Sequence, residues 1–209
     1  MTLSTPSDLL KSDRGVDYKT LRDALRQQDW EIADRLTYLH FQQALKTPER
    51  SWISDRRLKR FPKNDLLTID RLWVEQSRGR FGFSVQRRLY LECGGKLKGE
   101  RDALVWDAFL DRVGWRVELP ADEKQTWMKV GENLLVDWSL PRRLQHEDEI
   151  CYSLDTPEGY FPCPLIKVDR KVAGGRYGHF MEHRSLYEHW AWQTEESYWW
   201  QWFLQWFDR

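Results

Sequence analysis

Seven residues, Ser77-Arg78-Gly79-Arg80-Phe81-Gly82-Phe83, constrain the fold of this chain more than any other stretch. Before them, Leu66, Ile69, Leu72, Trp73 and Gln76 fall at helical spacing behind Pro62, with Asn64 or Asp65 as the expected cap. After them, a second helical pattern runs from Phe83 to about Glu92 and stops at Gly94-Gly95. Gly79 and Gly82 break the periodicity, so two helices must meet across a short joint. A joint that only reversed the chain would be polar. This one carries two arginines and two phenylalanines.

The rest of the chain extends the helical reading. Residues 1–16 are Ser/Thr-rich and lack periodicity, so a mobile arm is expected. Asp17 is the expected cap of a first helix with Tyr18, Leu21 and Leu25 on one face. Asp29 caps a second, with Trp30, Ala33, Thr37 and Ala44 on one side, ended by Thr47-Pro48. The short link between them predicts a packed helix pair. Residues 48–63 form a charged connector, whose basic run at 56–60 reads as a solvated face. A further helix spans 101–112, with Gly114 as its stop. Beyond it the pattern weakens, and Leu134 to Trp138 is extended or irregular. Residues 155–178 hold three prolines and four glycines, which predicts a long loop. A Trp-rich C-terminal helix follows, with Trp199, Phe203, Trp206 and Phe207 on one face. The predicted architecture is mainly α: a single cupped domain over 17–209, with a long, partly irregular C-terminal loop.

Composition excludes several functions. Lys+Arg and Asp+Glu are both 33, so the net charge is zero and general nucleic-acid binding by counterion release is not expected. No apolar run approaches the ~18 residues of a spanning helix. The N-terminus lacks the apolar stretch of a secretory signal. Three cysteines without a CxxC spacing suit a reducing compartment with free thiols. There is no Walker loop, GxSxG or HExxH, and GRFGFS is not a dinucleotide fingerprint. His179 and His183 could share a helical face, but no adjacent Cys or carboxylate pair completes a metal set. No catalytic constellation is expected. What stands out is 13 Trp beside 9 Phe and 8 Tyr, which suits a core, an interface or a flat conjugated ligand.

The 61–93 block, FPKNDLLTIDRLWVEQSRGRFGFSVQRRLYLEC, resembles the core signature of the Genomes-Uncoupled-Four family of porphyrin-binding magnesium chelatase regulators. DYKTLRDALRQQDWEIAD at 17–34, DRVGWR at 111–116 and SLDTPEGYFP at 153–162 resemble its other landmarks in the same order. The resemblance implies a helical, cupped fold that binds protoporphyrin IX or Mg-protoporphyrin IX non-covalently, without enzymatic activity. It also implies the large, porphyrin-binding subunit of magnesium chelatase as partner, in chlorophyll biosynthesis. The expected location is the cytoplasm of a cyanobacterium or a plastid stroma, with at most peripheral membrane association. Cyanobacterial members are further associated with linear bilins.

Carried over, the resemblance places Val74 and Phe83 at hydrophobic positions that matter for the tetrapyrrole, and Trp115 among residues that build the cup. A porphyrin is a flat apolar disc with two propionates on one edge, so it needs an apolar wall and nearby cations. Arg80 and Arg87 are candidates at the joint, with Arg78 and Arg88 in reach. Tyr160, Phe161, Arg170 and Arg176 complete the expected set. Where the family often has Gly-His-Leu-Pro, this chain has Gly159-Tyr160-Phe161-Pro162, and cations follow only at Lys167, Arg170 and Arg176. Replacing Phe83 by Ala is expected to weaken porphyrin binding and leave the fold intact. Two other readings stay open: a bilin- or porphyrin-sensing module with another partner, and an enzyme that attaches or isomerises a bilin.

Overall fold

The computed structural model describes residues 10–48, 57, 60–96, 102–118, 142–145 and 149–163. Their elements, in chain order, are α1 (Lys19–Arg26), α2 (Trp30–Ala44), α3 (Lys63–Gln76), α4 (Phe83–Glu92) and α5 (Ala103–Arg112), then β1 (Arg116–Glu118) and β2 (Arg142–Leu144). The protein is mainly α, as predicted. The two strands form a short antiparallel ribbon in which Arg116 faces Leu144 and Glu118 faces Arg142. The expected extended piece at 134–138, the Trp-rich C-terminal helix and the loop beyond 163 lie outside the described residues.

Each described helix stops in the same way. The residue after the C-cap turns left-handed: Gln28 (φ 58), Lys46 (φ 51), Arg78 (φ 56), Gly94 (φ 91) and Gly114 (φ 75). The amide after it then reaches back into the last turn, as Asp29 does to Ala24, Thr47 to Gln42, and Gly79 to Val74. This 6→1 hydrogen bond satisfies a carbonyl that the helix end would otherwise orphan. So α2 ends at Ala44 through Lys46, ahead of the Thr47-Pro48 signal.

Of the predicted caps Asp29 holds, whereas α1 is capped at Tyr18 and not at Asp17, whose carboxylate accepts the Lys19 amide at 3.0 Å. Asp102 is a cap that the sequence reading did not name. The Asp29 carboxylate accepts the Ile32 amide at 3.1 Å, and Asp102 accepts the amides of Leu104 and Val105. At α3 the expectation of a cap at Asn64 or Asp65 is corrected. Pro62 occupies that position, and Asp65 turns inward, fully buried. There it accepts the hydroxyls of Ser12 (2.5 Å) and Tyr18 (2.8 Å) and the amide of Asp13 (2.8 Å). Thr68 donates to the carbonyl of Lys11. Residues 10–16, expected as part of a mobile arm, are therefore fastened along α3. A buried carboxylate demands such donors, and the preceding segment supplies them.

The core is aromatic. α1 packs on α2 and on α3, and α4 packs on α3 and on α5. Trp30 stacks on Trp73 with ring centroids 6.1 Å apart, and Trp73 stacks on Phe161 at 5.8 Å. The Trp73 indole donates to the Thr37 hydroxyl, which in turn donates to the Ala33 carbonyl, so the only polar atom of that ring is satisfied. Burying each phenylalanine fully contributes about 1.5–3 kcal/mol.

Candidate functional site

The α3–α4 joint owes its shape to three contacts. The Ser77 hydroxyl accepts the Phe81 amide at 2.8 Å, which tightens the turn after Arg78 and Gly79. Asp70, in the middle of α3, accepts the Ser84 amide at 2.8 Å and so caps α4 from another helix. Gly82, with φ 131, sits where any Cβ would lie 2.8 Å from a Val74 methyl and 2.9 Å from the Asp70 carboxylate. Only glycine allows α3 and α4 to approach this closely. Burial pushes the Asp70 carboxyl up from its ordinary range, and the hydrogen bonds from the Ser84 and Phe83 amides pull it partly back.

The joint's two phenylalanines point inward. Phe81 meets the rings of Trp30 (5.4 Å), Trp73 (6.4 Å) and Phe161 (5.2 Å) near perpendicular or steeply inclined. Phe83 lies 5.7 Å from Phe41, which stacks on Phe61. Both are 0 % exposed, so neither offers a face to an incoming molecule in this conformation. The expectation that Phe83→Ala would spare the fold is corrected accordingly, since removing a buried ring leaves a cavity. Val74 is half-buried at the same joint.

The described start of the predicted 155–178 loop is irregular, as expected. Residues 151–163 form a strap whose end, 159–163, is buried in the core, and the carbonyls of its closing turn are taken one by one. Gln86 donates from one amide nitrogen to the carbonyls of Gly159 and Pro162, both at 2.9 Å. The Trp115 indole donates to the Tyr160 carbonyl at 2.8 Å, and the Gly82 amide donates to that of Phe161 at 3.0 Å. The Gly159 amide donates to the Arg80 carbonyl at 2.8 Å, and the Cys163 amide to buried Asp34 at 2.8 Å. Buried backbone requires this pairing. The strap includes a cis Phe161-Pro162 peptide. Tyr160, Phe161 and Trp115 are all fully or nearly fully buried. Burial also raises the Tyr160 phenol well above its ordinary range, and its hydroxyl donates to Gln145 at 2.5 Å.

The arginines divide by role. Arg80 grips the strap, donating from Nε to the Leu154 carbonyl (3.1 Å) and from a terminal nitrogen to that of Thr156 (2.6 Å). Arg88 bridges Glu92 (2.8 Å) and Glu158 (2.6 Å). Arg78 is exposed on the outer edge of the joint, and Arg87 is half-buried one turn into α4. Arg170, Arg176 and the His179/His183 pair lie outside the described residues. Thus the structure gathers Val74, Arg80, Phe83, Tyr160 and Phe161 around one joint, with Trp115 bound to the strap through the Tyr160 carbonyl. Among the described residues no group of His, Cys, Asp and Glu is placed to hold a metal ion. Nor is any described helix long and apolar enough to cross a membrane.

Sequence reasoning missed Asp34, Asp70 and Gln86. The available signal was a polar residue on a helix face that is otherwise apolar. Asp34 is four residues after Trp30, Asp70 four after Leu66 and three before Trp73, and Gln86 three after Phe83.

A GUN4-like family model matches residues 11–174. A Ycf53-like protein of Synechocystis sp. is 37% identical over 120 residues, covering 53% of this chain and 51% of that protein. A chloroplastic protein of Arabidopsis thaliana, described as tetrapyrrole-binding, is 37% identical over 67 residues, 32% of this chain and 24% of its own length. The structure of GUN4 from Chlamydomonas reinhardtii is similar with a TM-score of 0.51 at 24% identity, covering 73% of this chain and 82% of that one. That likeness concerns the fold. The chain spans about half the length of the curated relatives it matches.

Proposed function

This chain belongs to the GUN4-like family, and from that premise we propose that it binds a tetrapyrrole, protoporphyrin IX or its magnesium chelate, at the outer edge of the α3–α4 joint. The observation that carries the reading is the composition of that edge. Half-buried Val74, exposed Arg78 and half-buried Arg87 border one joint whose backbone is locked from behind by an aromatic wall. A rigid apolar edge beside cations suits a flat apolar disc with carboxylates on one side. The residues present fit that group, with roles different from those first expected. Phe81, Phe83, Tyr160 and Phe161 would hold the shape of the edge from beneath. Val74 would touch the ring, and Arg78 and Arg87 would face its carboxylates, joined on the family resemblance by Arg170 and Arg176.

The proposed activity is binding without turnover. By holding the magnesium product, the protein would relieve magnesium chelatase of it, and docking on the large chelatase subunit would shift that enzyme's working equilibrium. The proposed setting is the cytoplasm of a cyanobacterium or a plastid stroma. The relatives named above come from Synechocystis sp., Arabidopsis thaliana and Chlamydomonas reinhardtii.

The test is titration of tryptophan fluorescence with protoporphyrin IX, its magnesium chelate and a linear bilin side by side. Saturable quenching by a porphyrin is expected, weakened in Val74→Ala. If none of the three bound below the millimolar range, the binding reading would be abandoned. A bilin whose absorption continued to change beyond one equivalent would replace binding with turnover.

A further inference from the structure

Arg80 has the chemistry of a carboxylate receptor and the position of a strut. Its Nε and one terminal nitrogen are spent on the carbonyls of Leu154 and Thr156, while its own carbonyl accepts the Gly159 amide. Two residues on, the Gly82 amide is bound to Phe161, and Gln86 closes on Gly159 and Pro162. The stretch 80–86 and the strap 154–162 are therefore one hydrogen-bonded unit. Guanidinium geometry matters here: a planar fork can address two carbonyls two residues apart in fixed directions, whereas an ammonium group is a point charge on a flexible stem.

Resting on the binding reading above, we infer that Arg80 is a positioning residue for the tetrapyrrole site and not a partner of the ligand's carboxylates. It sets the joint's outer edge by tying it to the strap, so the edge and the strap order together. Two of its five N–H donors are held by Leu154 and Thr156, so a carboxylate that turned the guanidinium toward itself would leave two carbonyls of a packed segment without donors. The coupling also runs the other way. A molecule seated against Val74 stiffens the joint and, through Arg80, the strap.

The test compares Arg80→Lys with wild type, using protoporphyrin IX and its dimethyl ester as probes. Affinity is expected to fall by the same factor for diacid and ester, on the order of tenfold, the scale of one lost charge-assisted hydrogen bond. Hydrogen exchange at the Gly82 and Gly159 amides should accelerate in the variant, and bound porphyrin should slow Gly159 exchange in wild type. A loss confined to the diacid, with amide protection unchanged, would make Arg80 a carboxylate receptor and overturn the inference. Unchanged Gly159 protection on ligand binding would also overturn it. If wild type bound neither probe, the binding reading would fall. The exchange rates of Arg80→Lys would then still decide whether this side chain holds joint and strap together.

Discussion

Asp70 on α3 accepts the backbone amide of Ser84, in the first turn of α4, at 2.8 Å. The N-terminus of one helix is thus capped by the side chain of the helix before it, across a joint of only a few residues. The arrangement places a carboxylate at the positive end of α4 and at the same time buries it.

Two substitutions separate those effects. Asp70→Ala removes the acceptor and should cost about 1–2 kcal/mol. Asp70→Asn keeps an acceptor and removes the charge. Burial raises the folded-state pKa of Asp70 above its unfolded value of 3.8. Its contribution is therefore fully present below that unfolded value and is lost as pH rises through the folded one. Thermal midpoints across that range should show Asp70→Asn gaining on wild type as pH rises. Parallel curves would mean that the amides of Ser84 and Phe83 offset burial completely.

His40 gives the opposite sign. It is 4 % exposed, with the ring of Tyr18 edge-on at 5.0 Å. Burial lowers its pKa from 6.5, opposed by the charge of Asp17. The unfolded imidazole then takes up a proton that the folded one refuses. Stability is full above the unfolded value and is lost as pH falls from there through the folded one. Each tenfold difference in proton affinity between the two states is worth about 1.4 kcal/mol. Urea midpoints at pH 7 and pH 5 should show a smaller acid loss in His40→Gln than in wild type. Equal losses would place the acid sensitivity elsewhere.

Gly79 and Gly82 lie in the same joint and should respond differently to alanine. Gly79 has φ 81, and nothing lies within 4 Å of where an alanine methyl would sit. Gly79→Ala should therefore cost only the left-handed penalty, about 1–2 kcal/mol. At Gly82 a methyl would press on Val74 and Asp70, adding overpacking of about 1–3 kcal/mol and disturbing the α4 cap. Denaturant midpoints would order the pair, and equal costs would show that Val74 yields freely.

Arg78 joins stability to function. It occupies a left-handed position (φ 56) that glycine fills at the ends of α4 and α5. Arg78→Gly should therefore stabilise the fold, by about 0.5–1 kcal/mol once the added freedom of the unfolded chain is counted. If its charge faces a porphyrin carboxylate, the same variant should bind protoporphyrin IX less tightly and leave its dimethyl ester unaffected. A more stable variant with unchanged affinity for the diacid would remove Arg78 from the site.

Phe83→Leu, rather than Phe83→Ala, tests the wall. Truncating a fully buried ring to alanine should cost about 3–5 kcal/mol, and the unfolding would mask any effect on a ligand. Leucine keeps most of the volume against Phe41. Chemical denaturation is expected to show a loss well below that of alanine, with porphyrin affinity close to wild type if Phe83 only supports the edge. A large affinity loss in a stable Phe83→Leu would return Phe83 to direct contact.

Much of the fold was legible from local patterns. Helical spacing located α3 and α4 on either side of the 77–83 joint, and the Asp29 carboxylate marked the start of α2 through a hydrogen bond only three residues long. Such signals are carried by neighbours in the chain, so sequence alone contains them. The block from 61 to 93 also sufficed to point to the family that the chain is shown to belong to. What sequence could not decide were contacts between distant residues. Asp65 has the residue type and place of a cap, yet it is the buried anchor of residues 12, 13 and 18. Arg80 has the charge of a ligand's partner, yet it holds carbonyls at 154 and 156. The prolines and glycines after Asp155 signalled an irregular backbone, which is correct locally. Only the tertiary structure supplied Gln86, Trp115 and the Gly82 amide as donors, and those bonds are what allow an irregular segment to lie inside a core instead of on its surface.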